Sequence, residues 1–315
     1  MTNPDHRDPV HPEPVHRDPV HDGATDPTVV RHRATGEWWM FYTRRRAGLE
    51  CSGAEWVHGT DIGVAVSADE GRSWTYRGIA EGLEYAPGRM TYWAPEVIAA
   101  DDGTYHMRPS YLPGVRDSWT GDAHLLHYVS GDLLRWEFRS ALDLGSDRVI
   151  DATVYPLPDG RGRRMWFKDE RDHSRIHTAD SPDLHTWARG APAVTDQPQE
   201  GPTVFRPADA YWMMTDNWNG LPVHRSTDLD AWSREPYQLL TAAPEGHHAM
   251  TVEQGECAAV LWYFTADGSD PAGRRSVVRA ARLEVRGNRL TCDPDAPVAP
   301  LAAALTPGLR GGTGG

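Results

Sequence analysis

Asp26-Pro27-Thr28-Val29-Val30 is the first of five segments that stack in one register. The others are Ala94-Pro95-Glu96-Val97-Ile98, Asp151-Ala152-Thr153-Val154-Tyr155, Gly201-Pro202-Thr203-Val204-Phe205 and His248-Ala249-Met250-Thr251-Val252. The second column holds only Pro or Ala. The fourth and fifth are β-branched or aromatic, the composition of a buried strand. Successive openers are 68, 57, 50 and 47 residues apart.

A second apolar strand follows each opener, at 37–42, 103–107, 164–167, 210–214 and 260–264. The first four units then share an ending: Ser67-Ala-Asp69 with Trp74, Ser130-Gly-Asp132 with Trp136, Ser181-Pro-Asp183 with Trp187, and Ser226-Thr-Asp228 with Trp232. The Asp suits a tight turn, and the Trp is expected to open an outer strand and pack between units. The fifth unit ends instead in a strand over 276–285.

Five units of about 50 residues with about four strands each predict an all-β, single-domain, five-bladed β-propeller. A helical solenoid would need a 3.6-residue apolar period, which is absent. The propeller is expected over 21–290. Before it, 1–20 is a Pro-rich arm in which His6, His11 and His16 recur every five residues. Proline at that density blocks helix and interior strand, so the arm is read as disordered or extended, and losing 1–19 should leave stability nearly unchanged. After it, 291–315 is a C-terminal extension with a flexible Gly-rich tail.

A net charge of −13 would repel nucleic-acid backbones and anionic membranes, and no apolar run is long enough to span a bilayer. The first residues lack an apolar signal region, and Cys51, Cys257 and Cys292 are too few and scattered for a disulfide framework or zinc site. A reducing cytoplasm is the expected compartment. The 13 Trp against 5 Phe suit either sugar stacking or a repeated structural Trp.

In a propeller the first strand of each blade lines the channel, so first-column residues converge at one mouth. That column holds Asp26, Ala94, Asp151, Gly201 and His248, with Glu200 immediately before Gly201. Three carboxylates and an imidazole gathered on one axis repel and desolvate one another, a cost that purely structural residues would avoid. Glycosidic cleavage uses such a set: one protonated acid for the departing oxygen, one carboxylate for water or the anomeric carbon, and a third to tune the acid.

The openers "TDPTVV", "YWAPEVI", "VIDATVY" and "EGPTVF", in that order, resemble glycoside hydrolase family 43 and its relative family 117 over roughly residues 20–290. The resemblance implies inverting hydrolysis of arabinosides, xylosides or related furanosides. It implies Asp26 as general base, Asp151 as the modulator of the acid's pKa, Glu200 as general acid and His248 beside an axial ion or water. His247 is an alternative one residue away. Calcium or sodium held by the imidazole and waters is expected over zinc, and no organic cofactor. Trp93 is a candidate for sugar stacking and His58, in "HGTDIG", for substrate hydroxyls. Arg44-Arg45-Arg46 could reach substrate hydroxyls or carboxylates, although such a run is more often a solvated edge, and Lys168, Asp169, Glu170, Asn217 and Trp218 fall near the mouth without an assigned role.

The partner expected is a short oligosaccharide yielding a terminal furanose or pyranose. A retaining fructan-type propeller would carry Asn-Asp-Pro-Asn and an acid in Glu-Cys. The first is absent, and both Glu-Cys pairs lie outside the fourth opener. One complete Asp-box, 67–74, is too little for a sialidase. A non-catalytic sugar-binding propeller would not need Asp26 and Glu200 together.

Overall fold

Each opener has to bend a strand where its side chain meets the channel mouth, and the backbone does so alike five times. Asp26, Ala94, Asp151, Gly201 and His248 adopt positive φ values of 51°, 42°, 60°, 51° and 32°. Register slips at the same place: between Thr25 and Thr28, Trp93 and Glu96, Glu200 and Thr203, and His247 and Met250. In blade three the same slip lies between Ile150 and Thr153, three residues set against the two from Trp166 to Lys168. Bulges re-aim side chains, and left-handed backbone at non-glycine residues costs about 1–3 kcal/mol each, a strain typical of functional sites.

The computed structural model describes residues 13–298, 300 and 301. Among them, twenty strands form five four-stranded sheets, each in sequence order. The innermost strands are Ala24–Arg31, Thr91–Ala99, Val149–Pro156, Glu200–Phe205 and His247–Gln254. The protein is therefore a five-bladed β-propeller, and its helical segments are single 3-10 turns.

The repeated Ser-x-Asp…Trp element ties blades together. Ser67 Oγ donates to Asp69 Oδ1 at 2.7 Å, Asp69 accepts from the Ser73 amide at 2.9 Å, and Trp74 Nε1 donates to the Gly71 carbonyl at 3.1 Å. Each indole packs on the second strand of the preceding blade, and those of Trp74, Trp187 and Trp232 are fixed by an Nε1–H to carbonyl bond. Trp136 meets Phe41, Trp232 meets Trp166 and Trp74 meets Trp262, all edge-on with centroids 5.3–6.1 Å apart. Such pairs contribute about 0.5–1.5 kcal/mol beyond their buried area. Trp187 finds Arg108 at the same place, its guanidinium carbon 4.9 Å from the ring centroid.

Residues 1–12 of the expected arm, and 302–315 of the tail, lie outside the described residues. Residues 13–20 depart from the expectation by packing onto the propeller. The Val15 and His16 amides reach the Val278 carbonyl. Asp18 is buried, accepting from Tyr42 Oη at 2.7 Å and facing Arg44 Nε at 3.1 Å. The reason is electrostatic: Arg44 is buried on blade one and needs a counter-charge. Beyond the last strand, Arg289–Asp293, the chain returns and the Leu301 amide donates to the Glu70 carbonyl.

Candidate active site

The five bulges open into a cavity of about 470 Å³ at one end of the channel. Asp26, Asp151, Glu200 and His248 all line it, each from the innermost strand of a different blade. His248 lies between the first two, its Nδ1 3.6 Å from Asp26 Oδ1 and 4.0 Å from Asp151 Oδ2.

Neighbouring blades hold the openers in place. The Ala94 amide donates to Thr43 Oγ1, the Asp151 amide to Ser110 Oγ and the His248 amide to Asp216 Oδ2, at 2.8, 2.9 and 3.1 Å. Thr43, Ser110 and Asp216 occupy equivalent places on the second strands, opposite Thr25, Trp93 and Glu200. In blade three that place belongs to Lys168, opposite Ile150. Lys168 has no acceptor to offer. Its ammonium turns instead to Glu200 Oε2 at 2.8 Å and Glu170 Oε1 at 3.3 Å.

The electrostatics separate the carboxylates. Burial alone would raise the Asp26 carboxyl, but Arg45, His248 and the hydroxyls of Thr43 and Thr25 outweigh it and hold it below the ordinary aspartate value. Arg45 Nη2 lies 3.8 Å from Asp26 Oδ1, and Thr25 Oγ1 donates to Oδ2 at 2.9 Å. For Asp151 burial wins: its carboxyl is pushed up to about 7, with Glu200 and Asp26 adding and His248 and Lys168 opposing. Burial would depress His248, yet Asp26, Asp151, Glu200 and Asp216 raise its proton affinity above that of a free imidazole. Asp26 thus stays ionised while Asp151 holds a proton towards neutrality.

Trp93 lines the cavity, its indole fixed by Nε1 donating to the Val57 carbonyl at 2.6 Å. Trp56 and Trp119 extend the aromatic wall, edge to face at 6.0 Å. His58 does not reach the cavity. It is 0% exposed, and its ring nitrogens pair with Thr91 Oγ1 at 3.2 Å and the Ser118 carbonyl at 2.8 Å. It stands behind Trp93, ring centroids 5.1 Å apart, so its role is to support that indole.

The arginine run is not a solvated edge either. Arg44 pairs with Asp18, Arg45 faces Asp26 in the cavity, and Arg46 donates to the His58 and Glu55 carbonyls. His247 also lines the cavity, but its Nδ1 lies 3.1 Å from Asp216 Oδ2. Among the described residues, no group of three or more His, Cys, Asp or Glu side chains is arranged to hold a metal. An ion beside His248 would have one imidazole as its protein ligand, with waters completing its shell, and the surrounding carboxylates raise that imidazole's proton affinity.

A second cavity, about 280 Å³, opens around the inner strands' other ends and includes Glu96 and Glu253. Those carboxylates tie blades together: Glu96 accepts from the Val154 amide, and Glu253 from Tyr155 Oη and the Arg206 amide. The chemistry belongs to the first cavity.

No protein-family model and no curated protein matches the sequence. Solved structures do match the fold. A thermostable family-43 glycoside hydrolase superposes with a TM-score of 0.67 at 20% identity, over 93% of this chain and 99% of that one. A family-43 β-xylosidase/α-arabinofuranosidase from a compost microbial metagenome, in complex with xylotriose in a calcium-free form, gives 0.69 at 15%, over 91% and 98%. A family-32 β-fructofuranosidase of Bombyx mori gives 0.64 at 12%, over 86% of this chain and 62% of that one. At these identities the likeness is one of fold.

Proposed function

We propose that this propeller is an inverting glycoside hydrolase of the family-43 type. It would release a terminal arabinose-, xylose- or galactofuranose-like sugar from short oligosaccharides in the cytoplasm. The observation that carries the reading is the convergence of Asp26, Asp151, Glu200 and His248 from four inner strands on one cavity, where Arg45 and His248 hold the Asp26 carboxyl below the ordinary value and burial pushes that of Asp151 up. Sugar binding alone would not require that arrangement.

In the reaction Asp26 takes a proton from a water as its oxygen bonds to the anomeric carbon. The glycosidic bond breaks on the opposite face, and its electron pair takes the proton of Glu200. Asp26 ends protonated and Glu200 ionised, and exchange with solvent resets both. Asp151, whose carboxyl interacts electrostatically with that of Glu200, is the residue that tunes the acid. Trp93, Trp56 and Trp119 offer flat faces to the sugar being released.

The rival is a retaining fructan-type enzyme, whose fold also superposes, with a TM-score of 0.64 against 0.67 and 0.69, but its nucleophile motif is absent from the first opener. The proposal is tested by assaying the purified protein against nitrophenyl furanosides and pyranosides. Turnover of an arabinosyl, xylosyl or galactofuranosyl member supports it, and turnover of none overturns it.

A further inference from the structure

Both oxygens of Glu200 are occupied, by donors of different kinds. Oε2 accepts from Lys168 Nζ at 2.8 Å and Oε1 from Trp218 Nε1 at 3.0 Å. The Lys168 side chain is 5% exposed and braced by Glu170, which in turn binds Arg148 Nη2 at 2.7 Å. No sugar can displace it. Trp218 is 51% exposed at the tip of the Asp216-Asn217-Trp218-Asn219-Gly220 turn, with φ +62° and its amide held by Asp216 Oδ1. Its ring covers the Lys168 ammonium, 5.4 Å from the centroid.

Resting on the glycosidase reading, we infer that Lys168 is a positioning residue that fixes Glu200 Oε2 and leaves the catalytic proton on Oε1. We further infer that the exposed face of Trp218 is the platform for the leaving-group sugar. An ammonium can only donate. When Glu200 is protonated, the oxygen facing Lys168 must be the carbonyl, so the proton sits on the other oxygen. That oxygen is the one whose present partner can move. The glycosidic oxygen takes the place of the indole N–H at Oε1, and the sugar beyond it meets an aromatic face on blade four. Trp56, Trp93 and Trp119 belong to blades one and two, on the side of Asp26.

The groups facing this pair are Asp151, Glu170, His248 and Asp216. All but His248 are acidic, and Lys168 is the cation in contact with Glu200. Burial would lower the lysine's pKa, but Glu200, Asp151 and Glu170 raise it above the ordinary range, so its charge persists throughout the working pH. That charge stays against Glu200 Oε2, 2.8 Å away.

The test compares wild type with Lys168→Met, Lys168→Arg, Trp218→Ala and Trp218→Phe on glycosyl fluorides and matching disaccharides of arabinofuranose, xylose and galactofuranose. Fluoride is too small to reach the platform and leaves with little protonation. Trp218→Ala should lower the disaccharide-to-fluoride ratio of kcat/KM by about tenfold or more, and Trp218→Phe should retain most of it. Lys168→Met should move the alkaline limb of disaccharide kcat/KM up by about one pH unit or more, and Lys168→Arg should restore it. An unmoved limb, or equal losses on both substrates, would overturn the inference while leaving the glycosidase reading intact. A wild type that cleaves neither substrate would overturn both.

Discussion

A β-carbon on Gly201 would lie 2.9 Å from both Cγ and Nδ1 of His248. This contact explains why blade four carries its acid one residue early. Column one of that blade faces the imidazole so closely that only a residue without a side chain fits, and Glu200 reaches the cavity from the preceding position. Gly201→Ala should therefore push His248 away from Asp26 and Asp151. With φ at +51°, it should also cost about 1–3 kcal/mol of stability. Thermal melting and kcat/KM should both fall, whereas a surface Gly→Ala change with ordinary φ should alter neither.

Glu200→Gln should slow substrates with poor leaving groups by about 10²–10⁴-fold and activated aryl glycosides far less. Asp26→Asn should slow both alike, because water must be activated whatever the leaving group. Steady-state kinetics on one sugar with two leaving groups separates the two roles. Equal sensitivity in Glu200→Gln would remove the general-acid assignment.

Asp151 gives stability a pH dependence. Its folded-state pKa, about 7, lies above that of an unfolded aspartate. Its contribution is therefore fully present below about pH 4 and is lost as pH rises through about 7. Asp151→Asn, which cannot ionise, should be stabilised relative to wild type at pH 8, on the order of 1–4 kcal/mol, and by much less near pH 4. The same variant should lose activity. Denaturation midpoints at the two pH values check the sign.

Deleting residues 1–20 removes Asp18 and, among the described residues, leaves buried Arg44 with Asp61 Oδ2, 3.9 Å away, as its one carboxylate neighbour. Breaking a buried pair from one side costs about 3–5 kcal/mol. Chemical denaturation should show a loss of that size. Asp18→Asn in the full chain should lose part of it, since it keeps hydrogen bonding while giving up the charge.

The repeat made the propeller legible because the openers and the Ser-x-Asp…Trp turns recur with side chains that the fold requires. The meeting of Asp26, Asp151, Glu200 and His248 was legible for the same reason, being fixed by register. Lys168 and Asp216 were not, because the apolar run of each second strand ends just before their column. Carrying each of those four runs one to three residues further reaches Thr43, Ser110, Lys168 and Asp216 and exposes the lysine as the odd member. Trp218 sits in a turn with no repeated counterpart, and its contact with Glu200 needs coordinates. His58 misled for a physical reason: a polar side chain in a loop near the mouth can be consumed by backbone and hydroxyl partners, as it is by Ser118 and Thr91. Asp18 was hidden because proline spacing reports local backbone, not the counter-charge that Arg44 requires.

The central claim is that Asp26 activates water on one face of the sugar while Glu200 protonates the leaving group on the other. NMR of the first-formed product, recorded before mutarotation, tests it most directly. The account predicts an anomeric configuration opposite to that of the substrate. A product of the same configuration, or a sugar covalently trapped on Asp26, would contradict it.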